Sequence, residues 1–347
     1  MDFDKCISSC FNNKKIKHIK RINQKNLIGN ICNINFYEIT FQNEQVINIV
    51  IKISNFDNEL SNDALELDLY KREMYFYESI SDHVNINIPH FYKCIKQNNG
   101  SVIILENLSS NYNGYFNLNL NNNVTLILKT VSEIFKLHNK FYFKNDSKIC
   151  DYMQSLKKNN EINYYSKKIK SKFDKFMLIN NKYLKDEHIM IINYIYDNFS
   201  KFLEESSKFP LSFCHGDLKS GNIFYKQNNE PVFFDWQYVH LNKGVSDITF
   251  FLIECIDFDE NTTDIVEKYY YKLLYEKHPE ITYEEYKKDL LNSLCIFPFF
   301  VMIWFNSNEE YRSTDSDYKD SPTRFMNNLL LYYEYYFSKN IVHFKNN

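Results

Sequence analysis

The chain changes its hydrophobic rhythm near residue 106. From about residue 20 to 55, apolar and polar positions alternate, as in NICNINFYEITF and QVINIVIKIS, the period of half-buried antiparallel strands. From Asn62 to Ile80 the period lengthens: in DALELDLYKREMYFYESI, Leu65, Leu69, Met74 and Tyr77 fall near helical spacing. With Ser61, Asn62 and Asp63 as possible caps, this predicts one substantial helix. SVIILENL, at Ser101 to Leu108, reads as another strand, followed by a polar linker rich in Asn, Ser and Gly. Beyond it the spacing is mostly three to four, over Val124 to Tyr142, Glu187 to Glu205, Asp264 to Glu276 and Tyr283 to Phe305. Two strand-like stretches interrupt these helices, PLSFCHGDLKSGNIFY and PVFFDWQYV. The Asn-rich segments at 111–123 and 158–163 share no period and read as exposed loops. The fold class is therefore α+β: an antiparallel sheet with one main helix over residues 1–106, then a helix-rich part over 107–347.

Composition narrows the function classes. With 347 residues, 44% of them hydrophobic and 17% aromatic, the chain can fill the cores of two such parts. A net charge of -3, with lysines dispersed among acids, leaves no basic footprint for nucleic acid. The strongest apolar run, Leu294 to Phe305, is short of the roughly 20 residues that span a bilayer and contains Pro298, so it reads as a buried helix and no membrane partner is expected. Eight scattered cysteines form no close pairs and read as reduced core thiols. MDFDKCISSC has acids where an export signal needs bases, and no apolar segment, which predicts a cytoplasmic location.

The two strand-like stretches carry the candidate chemistry. Phosphoryl transfer from a nucleotide needs metal ligands, a lysine on the phosphates and a carboxylate that orients the attacking hydroxyl. In HGDLKSGN, Asp217 precedes Asn222 by five residues, so a tight loop can present a base and an amide oxygen together. Asp235 follows in FFDWQ, and a short hairpin through QNNEP returns it beside Asn222, where both can ligate a divalent ion through oxygen. His138 and His215 read as hydrogen-bonded structural histidines, and Cys214 as a small buried residue. Trp236 and Gln237 either line the site or pack beneath it; Tyr311, Trp304 and Phe305 are either substrate contacts or, as is commoner on an apolar helix, core.

HGDLKSGNIFY followed by FDWQ resembles the active-site pair shared by aminoglycoside phosphotransferases, choline kinases and the ecdysteroid-kinase-like (CHK-kinase-like) family, and the DWQ ending favours the last. The resemblance implies a bilobal protein-kinase-like fold that uses ATP and Mg2+ and phosphorylates a small-molecule alcohol. It implies Asp217 as catalytic base, Asn222 and Asp235 as magnesium ligands, His215 as loop support, and Lys219 at the place of a phosphate-contacting lysine. Lys52 in VIKIS resembles the strand lysine on the ATP phosphates; its partner acid is Glu73 in EMYFY, with Glu66 a second choice. VIILENLS resembles the hinge, with Glu106, Asn107 and Leu108 meeting adenine through the backbone, although Asn107 replaces the common acid. IFKLHNKFY is similar to the helix with a Leu-His pair, and GVSDITFFL supplies Asp247 as a brace for the catalytic loop. LIGNICNINFYEIT contributes only Gly29 to the phosphate-covering loop, without a G-x-G-x-x-G series. Two rival readings are a pseudokinase-like nucleotide-binding scaffold and a protein kinase; the latter should show DFG and a later APE, and neither occurs over Asp235 to Asp259.

Overall fold

In the computed structural model of the chain, the alternating N-terminal segment forms a five-stranded antiparallel sheet in the order β1-β2-β3-β5-β4. The strands are β1 (Ile16–Ile22), β2 (Cys32–Phe41), β3 (Val46–Ser54), β4 (Phe91–Lys96) and β5 (Ser101–Glu106). The structure describes residues 3–11, 14–22, 31–57, 59–98, 100–111, 113–116, 118–149, 153, 156, 159–308 and 322–338. Successive strand side chains point to opposite faces. One face therefore gathers Ile39, Phe41, Ile49, Ile51, Val102 and Ile104 into a core, closed by Ile7 of helix α1 (Phe3–Ser8). Lys52, one step along from Ile51, belongs to the other face, paired in register with Ile34 and Ile103.

The single helix expected over Asn62 to Ile80 is broken into pieces. Helix α2 (Glu59–Glu66) ends, Asp68 adopts a left-handed conformation at φ 56°, and α3 (Leu69–Tyr75) begins. Asp tolerates that conformation better than most side chains because its short polar group can bond locally. Ser61, Asn62 and Asp63 lie inside α2, so they are not its caps. Past Tyr75 the helix widens into a π-turn, Phe76–Ile80.

Contacts divide the chain into two compact units, Met1–Leu118 with Gly221–Val239, and Asn119–Ser220 with His240–Asn347. The first unit thus extends past residue 106 and takes in a later segment, because β6 (Tyr115–Phe116) pairs with β9 (Ile223–Tyr225), which pairs with β10 (Pro231–Phe233). In the second unit, β8 (Leu211–Cys214) pairs with β7 (Tyr142–Phe143) and β11 (His240–Asn242), among helices. Those helices are α5 (Val124–Lys140), α6 (Asn159–Asn180), α7 (Asp186–Ser206), α8 (Val245–Cys255), α9 (Glu260–Lys277), α10 (Tyr283–Leu294), α11 (Phe297–Asn306) and α12 (Pro322–Ser338).

Two expectations change here. Residues 159–163, read as loop, begin α6; its buried Tyr164, Tyr165, Ile169, Phe173 and Phe176 recur at helical spacing, and this outweighs the weak helix propensity of Asn. The helix expected from Tyr283 to Phe305 is two, since Pro298 has no N–H to continue a helix but fits the first turn of α11. By composition Tyr283–Asn306 is long and apolar enough to cross a membrane, yet 67% of its most apolar window is buried within the protein, as in a core helix. The described cysteines are all free thiols.

A close approach constrains the small sheet. A Cβ on Gly114 would collide with the Tyr225 carbonyl oxygen and the Phe224 ring, so β6 lies against β9 only with glycine there. Gly114→Ala is expected to destabilise the protein by about 1–3 kcal/mol, the usual effect of overpacking, measured as a lower urea midpoint.

Candidate active site

In the first unit, three elements bring charged groups together. Lys52 of β3 donates from Nζ to Glu73 of α3 at 2.8 Å and also to Oδ1 of Asp235, which follows β10. The β9–β10 hairpin expected through QNNEP is present, closed by Lys226 N–H to Glu230 O at 2.9 Å and by Asn229 at φ 60°. Phe234 N–H donates to Asn222 O at 3.1 Å, so the hairpin returns the chain at Asp235 to Asn222. Asp235 itself takes the left-handed conformation, φ 64° and ψ 65°, which costs a non-glycine residue on the order of 1–2 kcal/mol. Such strain persists only where the surroundings fix it.

The electrostatics follow from the count of charges. Burial alone would push the Lys52 ammonium down, but Asp235 and Glu73 override it and hold its pKa well above the ordinary value. Burial pushes Glu73 up to about 7; Lys52 and the Trp236 backbone N–H pull against this, and the Asp235 charge adds to it. One ammonium between two carboxylates leaves the trio with a net negative charge, which explains why the lysine is held cationic while one acid tends to protonate. The donor set suits a hard divalent cation: the Asp235 carboxylate and the Asn222 amide are both oxygen donors, as Mg2+ prefers.

In the second unit, β8 leads into His215, Gly216 and Asp217. Asp247, at the first turn of α8, accepts the His215 N–H at 2.7 Å on Oδ2 and the Gly216 N–H at 2.9 Å on Oδ1. Oδ2 also meets His138 Nε2 at 3.0 Å, and His138 Nδ1 lies 2.9 Å from the Tyr270 hydroxyl. An ionised carboxylate only accepts, so Nε2 carries hydrogen, and Nδ1 then accepts the Tyr270 O–H. Burial opposes ionisation of Asp247, but His138, His215 and the Gly216 N–H together hold its pKa below the ordinary value. Gly216, at φ 85°, takes a conformation that glycine adopts freely. Asp217 is buried, and its Oδ2 lies 3.0 Å from Lys219 Nζ. His138, Cys214 and Asp247 offer ligand atoms within 4.8 Å of one another. Cys214 Sγ lies 3.6 Å from both the Ser212 and the Lys243 carbonyl oxygens, so its one S–H can donate to either and the thiol packs into this bracing network.

The predicted residues thus fall in two sets. Lys52, Glu73, Asn222 and Asp235 belong to the first unit, and Asp217 and Lys219 to the second. Glu73 is buried and paired, whereas Glu66 is exposed, so the Lys52 partner is the first choice. Of the hinge amides, Glu106 N–H already donates to His90 O at 2.9 Å and Asn107 N–H to Asn48 O at 3.0 Å. Leu108 begins the short helix α4 (Leu108–Asn111), where a first-turn N–H has no intrahelical acceptor and can serve a ligand. Gly29 and Tyr311 lie outside the described residues. Trp304 carries Lys168 Nζ 4.4 Å from its ring centroid. Arg72, Phe76 and Tyr270 escaped the sequence reading; only their spacing from Glu73 or from aromatic neighbours hints at them.

Asp247→Asn leaves one carbonyl oxygen for three donors, and it is expected to destabilise by about 3 kcal/mol, in the range for breaking a buried charged network. Because the folded pKa of Asp247 is depressed, its stabilisation is present above about pH 4 and lost as pH falls through the lower folded value. Urea unfolding from pH 7 to 3 should therefore show wild-type stability falling more steeply below pH 4 than that of the variant.

Comparison with known proteins follows the same lines. No curated protein matches the chain. Among solved structures, choline kinase LicA from Streptococcus pneumoniae is similar at a TM-score of 0.52 and 13% identity, over 96% of this chain and 100% of LicA. Spectinomycin phosphotransferase APH(9)-Ia, in complex with ADP and spectinomycin, is similar at 0.54 and 13%, over 97% of this chain and 98% of its own. At such identities the likeness establishes the fold, which is kinase-like: an antiparallel-sheet N-terminal part and a helix-rich C-terminal part. Residues 25–279, more than half of the chain, match the ecdysteroid kinase-like family, and the protein belongs to that family.

Proposed function

We propose that this protein is an ATP-dependent phosphotransferase that moves the terminal phosphoryl group to a hydroxyl of a small molecule. The Lys52–Glu73–Asp235 array carries this reading, since a lysine held cationic between two acids is what nucleotide phosphates require. The similar structures, a choline kinase and a spectinomycin phosphotransferase with ADP, support a nucleotide donor and a small acceptor.

In this reading Asp217 accepts the proton of the acceptor hydroxyl as its oxygen bonds to the terminal phosphorus, and the bond to the bridging oxygen breaks to release ADP. Lys52 binds the phosphates and Glu73 keeps its ammonium in place; Lys219 lies beside Asp217 to meet the transferred group. Asn222 and Asp235 would hold Mg2+, which supplies charge neutralisation on the phosphates. The Leu108 amide, with the Glu106 carbonyl, would read the base. Asp247 fixes the loop on which Asp217 stands.

With Mg·ATP and a panel of amino alcohols, sugars and sterols, the wild type should phosphorylate at least one class. Asp217→Asn is expected to lower kcat by about 10²–10⁴, the range for a lost general base. Asp235→Ala should reduce turnover further than Lys52→Met does. Binding of Mg·ATP in a thermal-shift titration without transfer to any acceptor would instead support the nucleotide-binding scaffold, and full activity in Asp235→Ala would remove the metal assignment.

A further inference from the structure

Helix α6, in the second unit, carries five lysines against two acids, whereas α7 beside it carries five acids against one lysine. The inner face of α6 is fixed by packing. Phe173 stacks on Tyr196 of α7 at 3.8 Å, and buried Asn180 donates from Nδ2 to Phe176 O at 2.7 Å and to Asn306 O of α11 at 2.9 Å. That fixes which residues face outward: Lys167, Ser171, Asp174 and Leu178 recur at helical spacing and are all exposed, with exposed Lys170 and Lys175 on either side. Among the described residues, no acid lies within ion-pair reach of Lys167, Lys170 or Lys175. At one edge of this face Lys168 and Lys172 both stand over the Trp304 ring, 4.4 and 5.4 Å from its centroid.

The same helix ends in exposed apolar surface. Among the described residues, Leu178, Met190 and Tyr183 are the three most exposed large hydrophobic side chains, at 83%, 64% and 59%. Leu178 lies in the last turn of α6, Tyr183 in the short turn Asn181–Tyr183 that follows, and Met190 in the second turn of α7, so all three gather at one end of the helix pair. A single exposed leucine is ordinary; such a group beside the most basic helix is not. Charge and apolar surface together select the partner. An anionic lipid surface offers headgroups to the ammoniums and an interfacial layer to the apolar tip. Nucleic acid offers phosphates to the lysines but leaves Leu178 and Met190 in water. We propose that the outer face of α6 and the tip of the α6–α7 pair dock on an anionic membrane surface, with Lys167, Lys170 and Lys175 over the headgroups and Leu178 at the interface. Asp186 and Glu187, at the start of α7, are repelled by such a surface, which turns α6 toward it and α7 away. Docking of this kind needs no helix that crosses the bilayer, and it is independent of the phosphotransferase reading.

The test is sedimentation of the full chain with vesicles of phosphatidylcholine and phosphatidylserine, against vesicles of phosphatidylcholine alone. The wild type should bind only the anionic vesicles, and high salt should release it. Lys167→Gln, Lys170→Gln and Lys175→Gln together should weaken binding about hundredfold, since each lysine at such a surface contributes about fivefold. Leu178→Ser should weaken it about tenfold. Lys17→Gln, Lys268→Gln and Lys272→Gln together remove the same charge at other exposed sites and should stay within about twofold of wild type. With bromine-labelled acyl chains, Leu178→Trp should lose more indole fluorescence than the wild type, whose signal reports Trp236 and Trp304. All the substituted side chains are exposed, so an unchanged melting temperature verifies folding. Binding that does not depend on phosphatidylserine, no binding at all, or an equal loss in the second lysine triple would overturn the proposal. So would binding of an RNA oligonucleotide or an acidic peptide through Lys167, Lys170 and Lys175 by a chain that leaves vesicles in solution.

Discussion

A single ammonium facing two carboxylates, Glu73 buried and Asp235 partly exposed, sets the terms for the first unit. Lys52 cannot be removed from water without partners, and Glu73 and Asp235 cannot be placed side by side without a cation between them. Each element is shaped by that constraint. The sheet turns Lys52 away from the isoleucine core by the plain alternation of β3. The break at Asp68 gives α3 its own axis, independent of α2, and Glu73 becomes buried while Glu66 remains in solvent. The hairpin supplies Asp235 from a distant part of the sequence. With both acids ionised the trio carries a net negative charge, and a further cation is then favoured there by Coulomb's law, whatever its chemical role.

The second unit solves a related problem with the opposite sign. Asp247 is a buried anion with no lysine or arginine among its recorded partners, and hydrogen bonds from two backbone amides and a histidine stabilise it. Its value lies in geometry: two successive N–H groups aimed at one carboxylate fix the loop at Gly216, and hence the direction in which Asp217 leaves it. His138 is locked in turn by Tyr270, and a Cβ on Gly244 would strike the Tyr270 hydroxyl and the His138 ring, so the close packing around this carboxylate extends to a glycine. Removing any one member leaves buried polar groups without partners, which is more damaging than the loss of an average hydrogen bond.

How far the sequence foretold this depends on whether a feature is local. Period two gave the sheet and the face of Lys52, and QNNEP gave the hairpin, because each signal is contained in a few adjacent residues. The identity of the Lys52 partner was legible by motif, with Glu73 ahead of Glu66, but the reason Glu66 is excluded was not, since a left-handed Asp68 inside a helical pattern looks like any other polar residue. The start of α6 was hidden by asparagines whose weak propensity is overridden by tertiary burial downstream. Arg72, Phe76 and Tyr270 were invisible for a third reason: what matters about them is a partner 100 or more residues away, and nothing in their own neighbourhood encodes it.

The two strained features of the first unit acquire a common meaning from this. Asp235 in the left-handed region and the π-turn at Phe76 are each less favourable than the regular alternative. In its left-handed conformation Asp235 pairs with Lys52, and Phe76 at the start of the π-turn stacks on Trp236, so each distortion accompanies a contact. Neither could be relieved alone without breaking the ion pair or the stack, and the free energy of burying two large aromatic rings exceeds the strain at either site. The unfavourable local conformations are therefore stable consequences of the packing around them.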